Sequence, residues 1–181
     1  MKKYIFIHAD DFGRSKNISK NILKCINSKN INSISVMVGF DEKYFNIIKK
    51  KKIKIKLHIN LTEIYKNFLI NKNYSFVNLL FLRLHPNFSY HKKVVTNQID
   101  KQIRYFKKRF NIKHISVDSH EHVHVIPWIN QILINLKKKH KIIEIRNPSE
   151  KYYFVEIKYF LNFTYLTNLL KLGLIKFLNH F

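Results

Sequence analysis

Three short stretches of this 181-residue sequence hold the residue types from which a hydrolytic site could be built: Asp10-Asp11, His58, and Asp118-Ser119-His120-Glu121-His122-Val123-His124. Imidazole and carboxylate side chains are the ligands that zinc and its first-row neighbours take, and three of them leave a coordination position open for water. A divalent ion so held acidifies water and polarises a carbonyl, the two tasks of amide hydrolysis. A second carboxylate nearby can then accept the water's proton, and adjacent aspartates allow one to bind metal while its neighbour acts as base. Taken singly, each element has a plainer reading. An Asp-Asp pair is commonly a turn or a helix cap, and a strand-end histidine can be satisfied by hydrogen bonds. The alternation of His120, His122 and His124 is harder to dismiss, because in extended chain the three would share one face.

Their placement follows from the elements around them. Tyr4 to Ile7 reads as a buried strand with a turn at Asp11-Phe12-Gly13. Ile18, Ile22, Cys25 and Ile26 fall at helical spacing after Ser15 or Asn17 as N-cap, with Cys25 expected to be buried. Ser33 to Val38 gives a second strand and Tyr44 to Lys49 a second helix. Ile53, Ile55 and Leu57 alternate with lysines as in a half-exposed third strand. Residues 63 to 90 read as irregular. Val95 to Phe110 is helical, Ile115 to Val117 a strand, Ile129 to Leu136 a helix after Pro127, and Ile142 to Ile145 a fifth strand. Such alternation means a parallel sheet with helical crossovers, either open or closed as a barrel. Parallel α/β folds build their sites at the carboxyl ends of strands, where these polar residues fall.

Bulk properties set the remaining bounds. The length predicts a single domain over 1–181, without repeats or a Pro, Gly or Ser-rich linker. The net charge of +23 invites nucleic acid or an anionic surface. The lysines, however, are spread along the chain, and runs such as Lys49 to Lys52 and Lys137 to Lys139 fall where helices should end, so a solvated surface without a nucleic-acid partner is the expectation. The lone cysteine allows no internal disulfide. The apolar stretch before the aspartates is too short for a signal-peptide core, and no uncharged run is long enough to span a bilayer. A cytoplasmic location is expected.

Read together, His8-Ala9-Asp10-Asp11-Phe12-Gly13-Arg14-Ser15, Leu57-His58-Ile59-Asn60-Leu61-Thr62 and Asp118 to His124 resemble, in order and separation, the motifs of the YdjC-like carbohydrate deacetylases. Ser33-Ile34-Ser35-Val36-Met37, Gln102-Ile103 and Arg146-Asn147-Pro148 are also similar to that family's habits. The resemblance implies a distorted, incomplete TIM-type (β/α) barrel and hydrolysis of N-acetyl groups on amino sugars, with a divalent metal ion, magnesium or zinc. It implies Asp11, His58 and His120 as metal ligands, Asp10 as general base, His122 and His124 as histidines lining the site, and Arg146 as a substrate or oxyanion contact.

The sequence departs from the pattern at His8, where the family usually has asparagine, at Leu57, and at Gln98, where glutamate is frequent on a helix expected to be peripheral. The resemblance also implies that the chain stops before a late His-Pro-Gly motif of the family, with His180 more simply read as a solvated tail residue. Two further expectations follow: that a shortened relative could bind metal or sugar without turnover, and that the amphipathic segment from about 156 to 178 packs in the core or in a homodimer rather than on a membrane.

Overall fold

Five strands pair side by side in the order in which they occur along the chain. The structure, a computed structural model, describes residues 7–63, 74–148, 172–173 and 176–177. Strands β1 (His8–Phe12), β2 (Ser33–Val36), β3 (Lys54–Ile59), β4 (Ile115–Ser119) and β5 (Ile142–Ile145) are all parallel to their neighbours. Helices α1 (Lys16–Asn27), α2 (Phe45–Lys49), α3 (Phe76–Phe81), α4 (Phe88–Phe110) and α5 (Pro127–His140) lie between them in sequence. Short 3-10 turns at Leu82–Leu84 and His120–Val125 complete the described elements. Sequential parallel strands with helices between them are the arrangement of an incomplete (β/α) barrel.

The two faces of the sheet differ chemically. Ile34, Val36, Leu57, Ile59, Ile115 and Val117 form one core with Leu23 and Ile26 of α1, Phe45 and Ile48 of α2, Ile99, Ile103 and Phe106 of α4, and Ile132 and Leu133 of α5. Burying apolar surface at roughly 25 cal/mol per Å² makes this the main stabilising contribution. The residues alternating with them are polar and touch one another. His8 meets Ser33 and Ser35, Ser35 meets Asp118, Asp118 meets His58, and Glu144 meets Lys54, Lys56 and Ser116. Period-two alternation thus puts helices on one side and the chemistry on the other.

Several elements differ from the sequence expectation. The first strand is His8–Phe12, so the aspartates lie inside it, and Ile7 is exposed; residues 4 to 6 lie outside the described ones. The inward side of α1 carries Ser19, Leu23 and Ile26, which rotates the stripe by about one position and leaves Cys25 exposed rather than buried. Ser15 is the N-cap, accepting a bond from Ile18 N. The third strand is buried over its last four residues, not half-exposed along its length. Within the stretch expected to be irregular lie α3 and the first turn of α4, whose 23 residues run well upstream of Val95. Helix α4 is central, not peripheral: Val95, Ile99, Ile103 and Phe106 are fully buried, and Gln98 is only 5% exposed. The lysine runs do fall at helix ends, since α2 closes at Lys49 and the last turn of α5 holds Lys137, Lys138 and Lys139. The segment from about 156 to 178 lies almost wholly outside the described residues, as does His180. No helix among the described residues is long and apolar enough to cross a membrane.

Candidate metal centre

A regular strand would point Asp10 and Asp11 to opposite faces. Here β1 breaks register against β2 between Ala9 and Phe12, and Asp11 takes a left-handed backbone (φ 64°). This bulge turns both carboxylates toward the polar side, the kind of re-aiming for which bulges recur beside functional sites. Gly13 follows with φ 94°, and a Cβ there would lie 2.5 Å from the Met37 carbonyl oxygen, so the chain can leave the strand only through glycine.

Asp11 is the hub. Its Oδ1 lies 3.2 Å from His58 Nε2 and 3.0 Å from His120 Nδ1, while its Oδ2 accepts from Arg14 Nη1. His58 is fixed from behind: its Nδ1 is 2.7 Å from Asp118 Oδ1, and Asp118 is 1% exposed. A carboxylate only accepts, so that bond puts the proton on Nδ1 and leaves a lone pair on Nε2. Two lone pairs, on Nε2 and on Asp11 Oδ1, then face each other at 3.2 Å, a contact that requires a proton or a metal ion between them. His120 has the same arrangement, with Glu63 Oε1 3.4 Å from its Nε2. A carboxylate behind each ligating imidazole is the usual support of a metal-binding histidine.

The donors therefore fit a divalent cation. Asp11, His58 and His120 each offer an atom, all within 4.8 Å of one another. With neutral imidazoles, the carboxylates of Asp10, Asp11, Glu63 and Asp118 and the guanidiniums of Arg14 and Arg146 leave two negative charges, the complement of one such ion. Without it, a proton takes its place. Burial alone would lower the His58 pKa, but the bonds to Asp11 and Asp118 outweigh it and hold the pKa up at about 9. Burial would raise Asp11 and Asp118, but hydrogen bonds from the histidines hold both carboxyls well below the usual range.

A second group, His8, Asp10 and Asp118, also has metal-ligand spacing. Arg146 already supplies its cation: Nη1 is 3.0 Å from both oxygens of Asp10 and 3.7 Å from Asp118 Oδ2.

The histidine run does not lie extended on one face. Glu121 and His122 take left-handed backbones (φ 52° and 55°), and the segment winds into the 3-10 turn. Only His120 meets Asp11. His122 is half-buried with an Nδ1 that has no hydrogen-bond partner, and burial, aided by Arg146, holds its pKa down. His124 is buried between Ser119 Oγ and the Arg146 carbonyl oxygen; burial pushes its pKa down to about 4, so it is a neutral strut that positions Arg146. Sequence reasoning gave no role to Glu63, Arg14, Asp118 or Ser35. The first follows the Leu57 to Thr62 motif directly, and Asn60 folds back on Thr62 N and Glu63 N to place it. Arg14, Asp118 and Ser35 all stand within stretches already singled out for their resemblance to the family.

Both the sequence and the fold resemble known proteins. The profile of the YdjC-like protein family matches residues 4–177. A carbohydrate deacetylase of Xenopus laevis is 25% identical over 158 residues, which are 81% of this chain and 51% of that protein. The chain thus spans about half the length of the curated relative it matches. A solved structure from Enterococcus faecalis V583, of a protein assigned to cellobiose-phosphate cleavage, superposes with a TM-score of 0.52 at 17% identity, over 77% of this chain and 57% of that one, and so shares the fold. With its profile matched over nearly the whole sequence, the chain belongs to the YdjC-like protein family.

Proposed function

We propose that this chain hydrolyses the N-acetyl group of an acetylated amino sugar or oligosaccharide, using a divalent cation, magnesium or zinc, held by Asp11, His58 and His120. The observation that carries the reading is the convergence of those three donors from β1, β3 and the end of β4, each offering a ligand atom within 4.8 Å of the others. A His-rich donor set leans toward zinc or a first-row neighbour. Bound there, the cation supplies Lewis-acid polarisation of the acetyl carbonyl and acidifies water. The chain's own residues supply the rest. Asp10 accepts the proton of the attacking water, with Arg146 fixing the carboxylate. His122, half-buried beside Arg146 and held neutral by burial, lines the site next to the base. Membership in the YdjC-like family and the similarity to a carbohydrate deacetylase support a saccharide substrate.

The test is acetate release from N-acetylglucosamine oligomers by metal-replete protein. Activity is expected to vanish with chelator, return with metal, and fall by about 1,000-fold or more in Asp11→Ala and His120→Ala. Metal-replete protein that releases no acetate from any N-acetylated saccharide would refute the proposal.

A further inference from the structure

His8, which stands where the family usually has asparagine, reaches across the polar face of the sheet to Asp10. Its Nε2 lies 2.9 Å from Asp10 Oδ1 and 2.9 Å from Ser35 Oγ, and its Nδ1 lies 2.8 Å from Ser33 Oγ. The protonation of this ring follows from its neighbours. Ser35 donates its hydroxyl hydrogen to Asp118 Oδ2, so toward His8 it can only accept. Asp10 Oδ1 is a carboxylate oxygen and also accepts. Both partners of Nε2 therefore require a proton on Nε2. Ser33, whose hydroxyl can donate or accept, completes the ring's bonding at Nδ1.

The same bonds single out one oxygen of Asp10. Oδ1 receives His8 Nε2–H and Arg146 Nη1–H, which occupy both its lone pairs, whereas Oδ2 receives Arg146 alone. Oδ2 thus keeps a lone pair for an incoming proton. We infer that His8 is a positioning residue, its Nε2–H locking Asp10 Oδ1 so that Oδ2 is the atom presented to the reacting water. Asparagine offers an N–H on a shorter stem; the imidazole extends the reach and ties the carboxylate to both serines of β2. The inference rests on the reading of Asp10 as the base.

Three variants test it, with metal-replete protein and N-acetylglucosamine oligomers. His8→Ala removes the donor and is expected to lower kcat by about 10- to 100-fold while KM stays within about threefold, the pattern of a lost transition-state alignment. His8→Gln places an amide N–H at the reach of Nε2 and is expected to restore kcat to within about fivefold of the original protein. Nitrogen NMR of the imidazoles gives a readout that needs no turnover: His8 is expected in the Nε2–H form, with its Nε2 resonance displaced in Asp10→Asn. A folded His8→Ala protein with undiminished kcat, or His8→Gln no better than His8→Ala, overturns the inference and leaves the proposed function standing. An Nδ1–H tautomer, or an Nε2 resonance indifferent to Asp10→Asn, overturns it as well. Absence of turnover in the original protein removes the deacetylase reading, and the NMR arms then decide the His8 contact alone.

Discussion

The side chain of His58 is 4% exposed and has a carboxylate on each side, Asp118 at Nδ1 and Asp11 at Nε2. Buried imidazole ordinarily prefers to be neutral; here the two anions prevail and its pKa rises from 6.5 to about 9. A pKa higher in the folded than in the unfolded chain stabilises fully below the unfolded value and loses that contribution as pH rises through the folded one. Metal-free protein is therefore expected to lose stability between pH 6.5 and about 9, on the order of 3 kcal/mol, as this proton is lost. If, as proposed, a divalent cation takes the proton's place, metal-loaded protein is expected to show a flatter profile over that window, and metal uptake near pH 7 to release a proton. Urea unfolding with and without metal across pH 6 to 10 checks the slope. A steeper loss in the loaded protein would contradict the assignment of Nε2 as a ligand atom.

At the scale of elements, the site depends on places where regular geometry is broken. The bulge in β1 brings Asp10 and Asp11 to one side, and Gly13 lets the chain turn beneath Met37 and Phe45. Gly13→Ala forces a Cβ onto a carbonyl oxygen at a backbone angle that disfavours side chains. It is expected to cost about 2–4 kcal/mol and to weaken metal binding together with stability, measured by denaturant unfolding and calorimetric titration. Gln102 does the converse work on a regular element. Its carboxamide accepts from Asn60 N and donates to Asn60 O, fastening α4 to the loop that holds Glu63. Gln102→Leu leaves both backbone groups buried and unpaired, and is expected to destabilise by roughly 2–4 kcal/mol by the same unfolding measurement. The helical period of α4 was legible from Ile99, Ile103 and Phe106. Its first turn was not, because Phe88, Ser89, Tyr90 and His91 give no clean apolar stripe.

Across the whole molecule, the sheet separates a greasy face from an ionic one, and the ionic face has a second anchor besides the Asp11, His58 and His120 group. Glu144 on β5 takes Lys54 and Lys56 of β3 across β4, with Ser116 between them. Burial would raise its pKa, but the two ammonium groups outweigh it and hold it down at about 2. Lys56 is the buried member of this set, its side chain 10% exposed. Glu144→Ala is expected to cost about 1–2 kcal/mol in urea unfolding, less than a fully buried pair would, because Glu144 itself is 37% exposed. A value near zero would mean that water already screens the clasp. What the sequence determined by itself was the alternation of strand and helix and the lysine-closed helix ends, because periodicity is a local property written in residue type. The trio Asp11, His58 and His120, which the fold brings within 4.8 Å, was pointed to by its resemblance to a family's motifs. The tertiary structure decided the rest. The stripe of α1 rotates away from Cys25, the histidine run curls so that His120 alone reaches Asp11, and Asp118, Glu63 and Arg14 join from separate elements. Those contacts join residues up to 109 positions apart, and backbone turns at Asp11, Glu121 and His122 set them. A one-dimensional pattern encodes neither the turn nor the distance, so only the folded sheet could show which groups converge.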